Sequence, residues 1–466
     1  MKHGILTPIF LGILACWSAI SVIAEDRYQF FTWEITYGTI FPLGVPQEGI
    51  LINGQFPGPT IEAITNDNIV VNVINKLDDK FLITWSGIKQ RRTSWQDGVL
   101  GTNCPIPPNT NWTYKFQVKD QIGTYTYFPT TKIHKAAGGF GGFNIAQRSV
   151  IDTPYVIPSG EFTLLVGDWY KTNHKILRRL LDLGKTLPFP DALLINGQKD
   201  VGVFTGEAGK TYKFRVSNVG LATSINFRIQ GHKLKLIEVE GAHTLQETYE
   251  SLDIHVGQSM TVLVTLDKSI GDYYIVTSSR FTNHILTTTA TLRYSGSNSK
   301  ASGQLPIAPT DVDWSIRQAR TIRLNLTANA ARPNPQGSFH YGTIPILRTL
   351  QLANSKSNVN GKLRYAVNGI SHINPSTPLK LADWFNIPGI FDLNTIKDVY
   401  PNSWTAILVS LDNKGMWNLR SAIWESRYLG QELYMRVWNN EKSVYTETNV
   451  PANVLFCGKA KHLPKL

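Results

Sequence analysis

Nine histidines follow the first 24 residues, at positions 134, 174, 232, 243, 255, 284, 340, 372 and 462, and no two are separated by a single residue. The spacing therefore offers no His-x-His pair. His134, in Lys132-Ile133-His134-Lys135, is the best single candidate for a metal ligand, with a solvated loop histidine as the plainer reading. His243 and Glu247 would share a helix face, but they lie in strand-rich sequence and read as loop residues. Lys89, Arg91 and Arg92 are close enough together to bind the carboxylates of a polyanion if exposed; an ordinary charged loop is the alternative. Trp85 and Trp95, with Tyr125 and Tyr127, suit a platform for sugar rings; the preferred alternative is that they fill space left by lost metal ligands. The patterns Gly-x-Ser-x-Gly, His-Glu-x-x-His and Cys-x-x-Cys are absent, as is a phosphate-binding Gly loop. Asp78-Asp79 falls in a polar turn with nothing to mark a glycosidase pair.

The compartment narrows the chemistry. Met1-Lys2-His3 precedes an apolar run from Ile5 to Ile23, and Val22-Ile23-Ala24 leads into Glu25-Asp26. That order predicts a signal peptide over residues 1–24 and a secreted protein. No later stretch reaches the roughly 18 apolar residues of a membrane span, and the basic end around Cys457-Gly458-Lys459 lacks a lipid-anchor tail. The chain carries 46 Lys plus Arg against 34 Asp plus Glu, and without Lys2 the net charge is +11. For a secreted chain, this excess favours an acidic polysaccharide or an anionic surface over nucleic acid, unless it serves solubility alone. Cys16 leaves with the leader, so Cys104 and Cys457 remain. In an oxidising compartment they are expected to pair, with two free thiols as the alternative. Asn111 and Asn325 each begin an N-glycosylation sequon.

The elements that position these residues read as strands. With 42% hydrophobic and 17% charged residues, 37 Gly and 24 Pro, the 466-residue chain fits an all-β protein of several domains. Leu51-Ile52-Asn53-Gly54-Gln55 recurs as Leu194-Ile195-Asn196-Gly197-Gln198 and, more loosely, as Ala366-Val367-Asn368-Gly369-Ile370, each a strand ending in an Asn-Gly turn. Thr113, Thr261 and Thr405 each stand 10 residues before a Gly-x-aromatic at Gly123, Gly271 and Gly415. Two ordered markers divide the chain into three antiparallel β-sandwich domains at 25–150, 151–305 and 306–466, with a Ser/Gly-rich linker at 294–304. Lys175, Arg178 and Arg179 fit one face of a short helix over 173–183.

The third copy is short. Asn53 and Asn196 lie 59 and 64 residues before the matching strands at Trp112 and Met260, while Asn368 lies 36 before Trp404. About two strands and their turns are missing between Ile370 and Trp404, from the domain itself or through a splice form or faulty gene model.

The turn from Asn53 to Pro59, with Thr84-Trp85-Ser86-Gly87 and Trp95-Gln96-Asp97-Gly98, resembles the plant multicopper oxidases, the ascorbate oxidases and laccases. Gly101-Thr102-Asn103-Cys104-Pro105-Ile106 and Gly138-Gly139-Phe140-Gly141-Gly142 are similar to its monocopper oxidase-like, skewed-growth branch, which includes the pollen-specific L-ascorbate oxidase homologues. The resemblance implies three consecutive cupredoxin-like Greek-key sandwiches. It also implies one copper held by His and Cys, and a three-copper cluster held by His-x-His pairs. The first pair falls on Thr84 and Ser86, the second on Phe128 and Thr130, and the His-Cys-His on Arg420, Ser421 and Ala422; the remaining pair lies in the shortened interval. No cofactor is therefore expected. The implied role is binding or structural, in directional cell expansion or pollen tube growth at the cell wall, with pectin as partner. The alternative is an ascorbate oxidase-like or laccase-like oxidoreductase using one residual copper, so enzymatic activity stays open.

Overall fold

The computed structural model describes residues 26–325, 348–390, 411, 413–438 and 446–464. The expected leader, with its cleavage site and Cys16, lies outside them, as does most of the shortened interval. Among the described residues no helix is long and apolar enough to cross a membrane.

The first sandwich faces one four-stranded sheet against another. One sheet runs Gln47–Ile52, Tyr28–Ile40, Asn68–Asn75, Thr110–Gln117; the other runs Ile61–Ile64, Gly141–Ala146, Gly123–Pro129, Ile83–Ser86. Strict alternation over Asn68–Asn75 turns Ile69, Val71 and Val73 inward, where Trp33, Trp85, Tyr114, Tyr127 and Phe143 fill the core. The tilted ring pairs Trp33–Tyr127 (centroids 4.6 Å apart) and Trp85–Phe116 (5.0 Å) show that these aromatics pack on one another. Trp85, Trp95, Tyr125 and Tyr127 are all buried, so they offer no sugar platform.

The second sandwich repeats the plan. Its larger sheet centres on Glu161–Trp169, Thr211–Asn218 and Ser259–Thr265, its smaller one on Thr287–Tyr294, Asp272–Ser279 and Ile225–Ile229. Phe214, Val216, Phe227, Val262 and Ile275 lie between them. The helix Val312–Leu324, capped by the Asp311 carboxylate, packs Ile322 into this second core, although it follows the linker. The sheets are mixed rather than purely antiparallel. Tyr28–Ile40 runs parallel to Asn68–Asn75, Ile61–Ile64 to Gly141–Ala146, and Glu161–Trp169 to Thr211–Asn218. Strands joined by a crossover, instead of a tight hairpin, can return in the same direction.

In the third unit, the described residues form two hairpins, Asn354–Val359 with Lys362–Val367 and Gly415–Arg420 with Glu432–Val437. A short helix, Leu379–Trp384, occupies the described part of the shortened interval. The helix His174–Asp182 begins at an Asn173 cap, buries His174, Leu177 and Leu181, and leaves Lys175 and Arg179 outside.

The three Asn-Gly turns are one device used three times. Asn53 and Gly54, Asn196 and Gly197, and Asn368 and Gly369 all adopt positive φ, about +50° followed by +73° to +78°. Each Asn amide donates to one backbone carbonyl of the neighbouring strand and accepts from a backbone N–H. The carbonyl and N–H belong to Thr32 and Glu34, Thr163 and Leu165, or Gln351 and Ala353. Cys104 and Cys457 form a disulfide across 353 residues, joining the first sandwich to the final segment.

Candidate functional site

Strand pairing gathers the positions that sequence singled out. In the register of Ile83–Ser86 against Gly123–Pro129, Thr84 lies opposite Phe128. Thr130 follows directly; its hydroxyl donates to the Gly98 carbonyl at 2.7 Å and its N–H to the Leu82 carbonyl at 2.9 Å. Arg420 ends the strand Gly415–Arg420 and brings its guanidinium carbon within 5.6 Å of the Phe128 ring centroid. Ser421 and Ala422 continue away from that strand, and the Ser421 N–H donates to the Gln431 carbonyl at 3.0 Å. Phe128 thus links the strand pair that carries Thr84 to Arg420 of the third unit, with Thr130 two residues further along. Ser86 sits two residues along its strand, half-buried.

Three residues not singled out as candidates complete this centre. Lys135 is buried with its ammonium 4.4 Å from the Phe128 centroid and donates to the Gly220 carbonyl at 2.9 Å. Trp424 meets Phe128 edge-on, with centroids 6.1 Å apart, and Arg427 lies 4.8 Å over the Trp424 ring. Phe128 therefore carries a cation contact from each of two domains. Burial lowers the Lys135 ammonium to about 7, with Arg427 and Arg420 adding repulsion against the attraction of Asp168. Burial and the neighbouring Arg427 charge likewise lower Arg420 to about 10. Asp97, on the facing loop, moves the other way: burial raises its carboxyl despite the charges of Arg420, Arg427 and Lys380.

His134 lies elsewhere, at the seam between the first sandwich and the helix His174–Asp182. Its Nδ1 is 3.0 Å from the Thr131 hydroxyl and its Nε2 is 3.6 Å from an Asp79 oxygen, while Lys132 pairs with the same carboxylate. The ring stacks on Phe81 and meets His174 edge-on at 6.0 Å. No group of three or more His, Cys, Asp or Glu among the described residues is arranged to hold a metal.

The basic loop is bonded to later parts of the chain. Arg92 Nε donates to the Thr446 carbonyl at 2.9 Å, Thr448 bonds the Arg92 carbonyl, and Asn413 bonds the Lys89 carbonyl at 2.8 Å. Arg91 is half-buried between them. Asn111 is exposed on its strand, with its amide on Asn72 at 2.7 Å. Asn325 caps the helix Val312–Leu324, and its amide nitrogen is buried.

Three family models described as multicopper oxidase match residues 34–150, 160–297 and 393–443. A relative from Nicotiana tabacum, an "L-ascorbate oxidase homolog", is 46% identical over 97% of each chain. The chain belongs to the multicopper oxidase family. The "Monocopper oxidase-like protein SKU5" of Arabidopsis thaliana is 44% identical, covering 99% of this chain and 94% of its own. Among solved structures, the multicopper oxidase Fet3p superposes with a TM-score of 0.74 at 20% identity, over 88% of this chain and 90% of that one. A laccase from Botrytis aclada gives 0.70 at 21%, over 88% and 87%. These two fix the fold as three cupredoxin-like sandwiches, the third short.

A multicopper oxidase holds its metal through imidazole nitrogens and a thiolate. The residues here do not fit such an ion. Thr84, Ser86 and Thr130 bring hydroxyls, Phe128 a ring face already occupied by two cations, Arg420 a fixed positive charge, and Ser421 and Ala422 no strong donor. Sequence reasoning missed Lys135 because a lysine's burial is decided by what packs over it. The one available signal was its place in a run of apolar and small residues, Ile133 to Phe140.

Proposed function

We propose that the protein is a secreted, copper-free member of the multicopper oxidase family that acts by binding at the cell wall. Its role is in directional cell expansion or pollen tube growth, with acidic polysaccharide of the pectin class as partner. One observation carries the loss of copper: Lys135 and Arg420, from different domains, converge on Phe128 where the family resemblance calls for imidazoles. A cation there repels a metal ion and supplies part of the charge the metal would bring. The net charge of +11 after the leader supports the polyanion partner. Copper bound to a residual site would support the oxidoreductase reading instead.

Metal analysis of secreted protein produced with added copper tests the first part. Substoichiometric copper after dialysis is expected; a tightly held copper, blue absorption, or oxygen uptake with ascorbate overturns it. Retention on immobilised polygalacturonate tests the second. Binding should weaken as salt rises, and salt-independent flow-through counts against pectin.

A further inference from the structure

The outer face of the first sheet carries two aromatic rings that the core does not use. Trp33 and Ile35 point into the sandwich, so alternation turns Tyr28, Phe30, Thr32 and Glu34 outward. Tyr28 is 52% and Phe30 73% exposed, and their rings lie nearly parallel, 18° apart with centroids at 6.1 Å. Strand register places the rest of this face. Phe30 pairs across to Val70 and then Lys115, Thr32 to Asn72 and Thr113, and Glu34 to Ile74 and Asn111. The Asn111 amide and the Thr113 hydroxyl both donate to the Asn72 side-chain oxygen, at 2.7 and 3.2 Å, which sets all three on the same side. Asn111 and Thr113 are the first and third residues of the sequon Asn111-Trp112-Thr113, whose tryptophan is buried on the opposite face. Asn111 itself is exposed.

We propose that an N-linked glycan on Asn111 lies along this face and covers Tyr28 and Phe30. The reach is short: by strand rise and strand spacing, Asn111 and Phe30 stand roughly 16 Å apart, within the span of a branched glycan core. The row between them, Thr32, Asn72 and Thr113, has short polar side chains, so a sugar chain can pass over it and hydrogen-bond to it. The chemistry also matches. A sugar offers a C–H face to a ring and O–H groups to polar neighbours, whereas a purely apolar cover would desolvate Asn72 and Lys115 without replacing their water. Attachment leaves the anchor intact. The amide nitrogen displaces pyrophosphate from C1 of a lipid-linked oligosaccharide and gives up one hydrogen as a proton, while its second hydrogen remains for Asn72. The inference requires the secretion proposed above and is independent of copper and of pectin.

The test uses the full chain secreted from cells that add high-mannose glycans. Peptide mass spectrometry should find Asn111 glycosylated in most molecules, and an unmodified Asn111 overturns the proposal. Trimming the folded glycoprotein to its first sugar with an endoglycosidase should lower Tm by about 2–4 °C. In the variant Tyr28→Ala with Phe30→Ala, trimming should lower Tm by less than about 1 °C, because the contact it removes is already gone. Equal shifts in the two proteins would mean that glycan and rings do not meet. Should that variant fail to fold, the unaltered protein with isotope-labelled phenylalanine decides: the Phe30 ring resonance should move on trimming, and an unmoved one sinks the proposal. Dimerisation that is lost in Phe30→Ala would assign the face to a second copy of the chain and equally overturn the glycan.

Discussion

An asparagine at the end of a strand does two jobs that no other residue does together. It tolerates positive φ and it bridges two backbone groups of the adjacent strand. At Asn196, with φ of +49°, the amide ties the Thr163 carbonyl at 2.9 Å and the Leu165 N–H at 2.7 Å. Asn196→Ala should therefore cost about 2–4 kcal/mol, from two lost hydrogen bonds and a strained backbone, whereas Asn196→Gly should cost only the bonds. Urea unfolding with unchanged slope measures both, and equal losses would show that strain contributes nothing. This residue was legible in sequence because the turn is local and the motif recurs. Lys135 was not: nothing in Lys132-Ile133-His134-Lys135 says which lysine faces solvent.

At the scale of elements, the helix His174–Asp182 docks onto the first sandwich through groups that respond to acid. His174 is buried beside His134, with its Nδ1 4.0 Å from Glu48 and its ring stacked on Tyr37; burial, then the His134 charge, lower its pKa to about 4. Burial also lowers His134, while Asp79 is held far below the usual carboxylate range by His134 and Lys132. Unfolded histidine titrates near 6.5. Between about 6.5 and 4 the unfolded chain thus holds more protons than the folded one, and stability falls as pH drops. Asp79 stabilises only above its unfolded value near 3.8, so its contribution is lost at still lower pH. The remaining charges here, Glu48, Lys132, Lys175, Arg178 and Asp78, set the background. His174→Phe should flatten the decline between those pH values by about 1–3 kcal/mol in a thermal or denaturant series. An unchanged decline would assign it to other groups. The helix itself was legible from its spacing, but the seam was not, because His134 and His174 are forty residues apart and meet only when the two sandwiches pack. The mixed strand directions escaped for a related reason: alternation marks a strand's faces and says nothing of its direction.

Across the whole molecule, the last described segment works as a strap returning to the first sandwich. Cys457 bonds Cys104, Thr446 and Thr448 bond Arg92, and Glu447 meets both Ser94 and Lys380, whose ammonium lies 4.3 Å over Trp95. Trp95, Cys104, Leu381 and Ala460 form a small apolar cluster beneath it. The third unit, whose described strands make only two hairpins, is thereby held by contacts outside its own sheets. The pairing was legible because only Cys104 and Cys457 follow the expected leader, which leaves few options. The strap was not, because it depends on backbone carbonyls that every residue has. Closing a 353-residue loop restricts the unfolded chain strongly, so Cys104→Ala with Cys457→Ala should lose about 2–5 kcal/mol. The loss should be local first. Residues 446–464 keep their hydrogen bonds, the Lys380–Glu447 ion pair, the small cluster and the packing of Val454 and Leu455 on the first core, fewer ties than a strand in either sandwich has, so backbone amides there and around Trp95 should exchange faster in the variant, while those at the Asn53 and Asn196 turns stay protected. Uniform acceleration across both sandwiches would mean that the disulfide acts on global unfolding alone and that the strap has no separate role.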